Sequence, residues 1–131
     1  MKRFNLVGAF LVVLAVACGG SDSATPVESC NMGVVALCGR IYACYTEAEL
    51  AAAGYPATES ACVTMNQASS GCAAKTTANA CTGGNEVFHG EFVSGCIDQV
   101  NGLTCAQVRD PALDTNVAAP LCKKVCSVPG A

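Results

Sequence analysis

Residues 31–45 read Asn-Met-Gly-Val-Val-Ala-Leu-Cys-Gly-Arg-Ile-Tyr-Ala-Cys-Tyr. Within this stretch Val34, Val35, Cys38, Ile41, Tyr42 and Tyr45 recur at steps of three and four. That spacing makes one apolar stripe along an α-helix. Two cysteines, Cys38 and Cys44, ride on the same helix. A helix that carries sulfur along with its apolar face predicts a helical domain closed by disulfides.

The segments that follow repeat the theme. Thr46-x-x-Glu49 is a capping-box pattern opening a short Ala-rich helix, which stops at Gly54 with Pro56 beyond. A second main helix is predicted from about Thr58 to Ser70, carrying Cys62, Val63 and Met65. Thr76 to Asn85 reads as a polar loop around Cys81. A third is predicted from Glu86 to Val100, with Phe88, Phe92, Val93 and Cys96 inward, ended by Asn101-Gly102. Thr104 caps a short helix to Arg109, Pro111 to Ala119 is loop, and Pro120 opens a final turn from Leu121 to Cys126. No alternating run of β-branched and aromatic residues follows residue 17, so no strand is predicted. The expected fold is mainly α: about three main helices plus short turns, stapled by disulfides.

Composition explains why staples are needed. The chain is 52% hydrophobic and 13% charged, but it has no Trp, and much of the apolar content is Ala, Val and Cys. Small side chains bury little area, and at about 25 cal/mol per Å2 such a core is marginal against chain entropy. Eleven cysteines in 131 residues is the density of a secreted disulfide scaffold. No Cys-x-x-Cys occurs. That absence argues against thioredoxin-like centres, haem attachment and zinc sites built on close pairs. Cys122 and Cys126, at i and i+4, are expected on one face of a helix.

The first residues give an address. Met1-Lys2-Arg3 is a basic start, and Leu6 to Val16 is an apolar run of eleven. It is too short to span a bilayer core of ~30 Å and has the length of a signal-peptide core. Ala15-Val16-Ala17-Cys18 follows. It resembles a lipobox, although the position three before the cysteine is Ala15 rather than the usual Leu. Residues 1–17 are read as a lipoprotein signal peptide, and 18–29 as the lipidated Cys18 with a flexible Gly/Ser tether. Residues 30–126 are then the disulfide-rich domain and 127–131 a tail. Parity agrees. With Cys18 acylated, ten cysteines remain, an even set: Cys30, Cys38, Cys44, Cys62, Cys72, Cys81, Cys96, Cys105, Cys122 and Cys126. All ten are expected to be oxidised. Gly19 stands where inner-membrane retention signals usually show Asp, so the outer membrane is the expected destination.

The mature chain carries five basic residues against ten acidic ones, with no extended basic run. That balance excludes nucleic acid as a partner. The expected attachments are the membrane, through the N-terminal lipid, and an envelope protein.

Three further pieces carry a resemblance. They are Cys38-x-Arg40-x-Tyr42-x-Cys44, the stretch Gly54-Tyr55 to Cys62 that enters the second helix, and Cys96-Ile97-Asp98-x-Val100-x-x-Leu103-Thr104-Cys105. With the lipobox and tether, they resemble the small Cys-rich lipoproteins of myxobacteria and related delta-proteobacteria. The likeness covers most of the chain past Cys30. It implies a periplasmic or surface lipoprotein with a helical, disulfide-linked domain, and it implies no catalytic residue.

His89 is the only histidine, flanked by Glu86 and Glu91. A general base or a metal ligand is one reading; a rim residue is the preferred one. No Gly-x-Ser-x-Gly elbow and no phosphate loop occur, and the cysteines are too dispersed for a thiolate metal cluster. No enzyme activity, cofactor or metal is expected. The leading reading is an interaction or structural module of the envelope. Its alternative is a small secreted hydrolase or redox accessory with an unrecognised site. A concave pocket lined by Glu86, His89 or Glu91 would favour that alternative. Tyr42 and Tyr45 read as core rather than recognition surface.

Ten cysteines allow hundreds of pairings. If residues 46–57 fold back as a helical hairpin connection, Cys44 and Cys62 are brought side by side, and that bridge is expected. Cys62 and Cys72 on one continuous helix would be ~15 Å apart in rise and unable to pair.

Overall fold

The computed structural model describes residues 23–130. Cys18 and the signal segment therefore lie outside the described residues. Helix α1 spans Pro26–Cys44, α2 Glu47–Ala52 and α3 Glu59–Ser69. After a 3-10 turn at Cys72–Ala74 come strand β1 Val87–Phe88 and a second such turn at Gly90–Phe92. Helix α4 Val93–Asn101, α5 Cys105–Val108, α6 Thr115–Ala118, α7 Pro120–Val125 and strand β2 Cys126–Ser127 complete the order. The fold is mainly helical and disulfide-stapled, with three longer helices (α1, α3 and α4). No described helix is long and apolar enough to cross a membrane.

Threonines start four of the helices. Thr25, Thr46 and Thr104 each close a full capping box, with Glu28, Glu49 and Gln107. Thr58 accepts the Ala61 amide at the head of α3. Each cap satisfies amides that the first helical turn leaves without partners. Gly54, at φ +77, terminates α2 in the left-handed conformation that favours glycine.

The five bridges arrange these pieces into two stapled halves. In the first, Cys30–Cys72 and Cys38–Cys62 have Cα separations of 5.4 and 6.1 Å. One cysteine moves down α1 as its partner moves up the chain, so α1 and α3 form an antiparallel hairpin. In the second half Cys96–Cys122 joins α4 to α7, and Cys81–Cys126 ties the preceding loop to β2. Cys44–Cys105 links the halves.

The core is built around sulfur. Among the described residues nine apolar ones are buried, and four of these are Cys38, Cys44, Cys62 and Cys72. Val34 packs with Cys38, Cys62 and Cys72, and Tyr42, Cys30 and Val63 close over them. Among the described residues no charged or polar one is buried.

Several expectations need correction. The end of the supposed tether is helical: Pro26 to Ser29 form the first turn of α1, because Thr25 and Glu28 make a capping box and Pro26 is pre-set for a first-turn position. Ala24 is docked as well, its amide donating to the Gly90 carbonyl at 3.3 Å. The predicted third helix begins at Val93, seven residues late. Its first part is taken by β1, which pairs antiparallel with β2 in the register Val87 with Ser127 and Phe88 with Cys126. Residues 111–119 contain α6, started by the Asp114 side chain. Cys126 lies in β2 rather than beside Cys122 on a helix. Val35 faces solvent, 48% exposed, so the inner stripe of α1 is narrower than its spacing suggested.

The Cys44–Cys62 bridge is not formed. The helical hairpin is there, but Cys62 stands opposite Cys38, six residues or about 9 Å of rise away from Cys44. Six residues also turn the helix through about 240°, so Cys38 and Cys44 point to different neighbours. Cys38 meets α3, and Cys44 meets α5.

Candidate functional site

The ten cysteines from Cys30 to Cys126 are all consumed in bridges. None offers a thiol for nucleophilic or redox chemistry. Cys81, Cys126 and Glu86 gather their ligand atoms within 4.8 Å of one another. Two of the three are sulfurs of one disulfide, which lacks the thiolate that metals bind.

His89 sits where β1 runs into the second 3-10 turn. Its amide donates to the Val125 carbonyl at 2.8 Å. Its Nδ1 lies 3.1 Å from Glu91 Oε1, its ring tilts against Phe92, and Nε2 is buried without a partner. Among the described residues no hydroxyl meets either ring nitrogen. Glu86 is turned to the loop, accepting the Gly83 amide at 3.0 Å. Glu91 does line a shallow cleft of about 400 Å3, together with Glu28 and Ser94, but His89 and Glu86 do not.

The larger chemical interest lies elsewhere, where α5 closes on the end of α1. Two arginines there reach over more than sixty residues of chain. Arg109 Nε donates to the Cys44 carbonyl at 2.7 Å, and Nη2 donates to the same oxygen. Its Nη1 and Nη2 also contact Glu49 at 3.1 and 3.0 Å. The guanidinium lies over the Tyr45 ring, 4.8 Å from its centroid. The Cys44 carbonyl is among those that a helix C-terminus leaves open, and a cation is the natural cap for it. Arg40 Nη2 donates to the Leu103 carbonyl and sits 3.5 Å from Cys44 Sγ. Its Nε is buried with no partner.

Between these arginines opens a cavity of about 390 Å3. Helix α1 supplies Leu37, Ile41 and Tyr45 to its wall, α2 supplies Leu50, and Leu103 and Val108 close the far side. Arg40 and Glu49 are the charged groups on its lining. The volume is that of a small-molecule site, and the walls are almost wholly apolar.

Three carboxylates are held below the usual range, and each has a structural cause. Glu28 is stabilised as the anion first by the Thr25 amide and then by the Thr25 hydroxyl. For Glu49 the Thr46 amide comes first, then the Thr46 hydroxyl and Arg109. Glu91 is lowered chiefly by its own backbone amide, with His89 adding to it. The first two are capping carboxylates at helix N-termini, not acids tuned for proton transfer.

The sequence assigns no role to Arg40 or Arg109, which stand among five basic residues with no extended run. One signal was present. Arg40 interrupts an apolar run between Leu37 and Ile41, which is an expensive place for a charge without an assigned task. No protein-family model matches the chain, and no curated protein or solved structure is found to be similar to it.

Proposed function

We propose that this chain is an outer-membrane lipoprotein, held by an acylated Cys18, whose disulfide-stapled domain serves as an interaction or structural module of the envelope. The density of disulfides belongs to an oxidising, extracytoplasmic compartment. The observation that carries the anchor is the pairing itself. The ten cysteines of the domain use one another as partners, the even set that acylation of Cys18 requires. The module reading draws on the outward face of α1. There Met32 and Val35 are exposed, and they border a groove with Ile97. Exposed apolar side chains grouped in this way suit contact with another macromolecule.

The test is metabolic labelling with a palmitate analogue followed by fractionation. The wild type should carry label and sediment with the outer membrane. Cys18→Ser should lose the label and either remain unprocessed or appear in the soluble fraction. A wild-type protein that is cleaved, unlabelled and free in the medium would end the proposal.

A further inference from the structure

We infer that the cavity between α1, α2 and α5 is a binding site for a single-chain anionic amphiphile, an alkyl carboxylate or one of its close analogues. This goes beyond the module reading and does not depend on the anchor at Cys18. Two observations meet at one place. The first is the cavity, about 390 Å3 and walled by Leu37, Ile41, Leu50 and Leu103, which offers an alkyl chain an apolar surface. The second is Arg40 on its lining. This guanidinium gives Nη2 to the Leu103 carbonyl and has no carboxylate at ion-pair distance among the described residues.

Charge decides the sign of the head group. Glu49, the other charged group on the lining, is neutralised by Arg109 at 3.0 Å. Arg40 makes no ion pair among the described residues. A partly buried cation beside apolar walls is unfavourable unless an anion joins it. A carboxylate at the cavity can pair with the Arg40 guanidinium and place its chain along Ile41 and Leu50. A neutral head group brings no charge and a cationic one brings the wrong charge, so either would leave Arg40 without a counter-ion. The geometry also limits size: the cavity suits one chain, not the several chains of a membrane phospholipid.

Titration calorimetry with the full chain, purified oxidised, tests this. The probes are dodecanoate, dodecanol and dodecyltrimethylammonium, each kept below its micelle concentration. Dodecanoate should bind at one site, and the other two should bind roughly 10- to 100-fold more weakly, the weight of a hydrogen bond to a charged group. Arg40→Met should erase the preference by weakening dodecanoate alone. Because Arg40 also holds Leu103, a second variant avoids the folding question. Leu37 is 53% exposed at the cavity wall, so Leu37→Asp should leave the fold intact and weaken dodecanoate while sparing dodecyltrimethylammonium. Equal binding of all three probes would overturn the proposal. So would binding that appears only with micelles, or a folded Leu37→Asp protein with unchanged dodecanoate affinity.

Discussion

Cys44 and Cys105, 5.0 Å apart at Cα, form the one bridge of the five that joins the α1–α3 hairpin to the C-terminal half. The other four each close within one half. Cys105 is solvent-exposed, whereas Cys38 and Cys62 are 1% and 0% exposed. Thiol–disulfide exchange needs a thiolate to reach a sulfur, so access orders the reduction. Under graded dithiothreitol with alkylation at each step, Cys44 and Cys105 should be the first pair modified and Cys38–Cys62 the last. A loop of 61 residues is worth about 4 kcal/mol in the chain-entropy model. Loss of this bridge alone should therefore lower the melting temperature clearly. Early labelling of Cys38 or Cys62 would contradict the order.

Arg109 and Glu49 should not be equivalent in mutation. Their ion pair is exposed on both sides and is worth little in water. Glu49→Gln keeps a hydrogen-bonding cap on α2 and should shift the denaturation midpoint less than Arg109→Met does. Arg109→Met also strips the Cys44 carbonyl of its donors and should cost roughly 1–3 kcal/mol. Denaturant melts of the oxidised variants measure both.

Acid should weaken the helix starts. Glu28 and Glu49 have folded-state pKa values lowered by their capping bonds. A carboxylate lowered in the fold adds stability that is present above its unfolded value, about 4.3 for Glu. That stability is lost as the pH falls through the folded value. The melting temperature should be flat from neutral to about pH 5 and decline below about pH 4.3. The double variant Glu28→Gln, Glu49→Gln should show a smaller decline, because glutamine caps without titrating. An identical acid profile in wild type and variant would refute the assignment.

Gly90 and Gly95 separate two kinds of crowding. A Cβ on Gly90 would run into the Ala24 carbonyl, and that backbone atom cannot swing aside. Gly90→Ala should cost about 1–3 kcal/mol and undock residues 23–24, seen as faster amide exchange at Ala24. At Gly95 the added atom meets only the far end of Leu121, a flexible side chain. Gly95→Ala should stay within about 1 kcal/mol of wild type.

Local chemistry was legible in the sequence. The spacing of Val34, Cys38 and Ile41 predicts α1, the Thr46–Glu49 pattern predicts the start of α2, and Thr58 and Thr104 mark two more helix starts within a residue. These signals act over three or four residues, so the chain itself contains both partners. The density of cysteine likewise announced a domain held by bridges. Thr25-Pro26-Val27-Glu28 carried the same kind of signal but was hidden among Gly, Ser and Pro, and was read as tether.

What only the tertiary structure decided was partnership at a distance. Which cysteine meets which depends on the rotation of α1, because six residues of helix send Cys38 to α3 and Cys44 to α5. The strand at Val87–Phe88 exists because Cys126–Ser127 lies beside it, almost forty residues later. Arg40 and Arg109 become a pair of clasps around an apolar cavity only after α5 has closed on α1. A two-residue strand, a bridge partner and an arginine's acceptor have no periodicity of their own. Each is set by the register in which separate helices pack, and that register is a property of the assembled core.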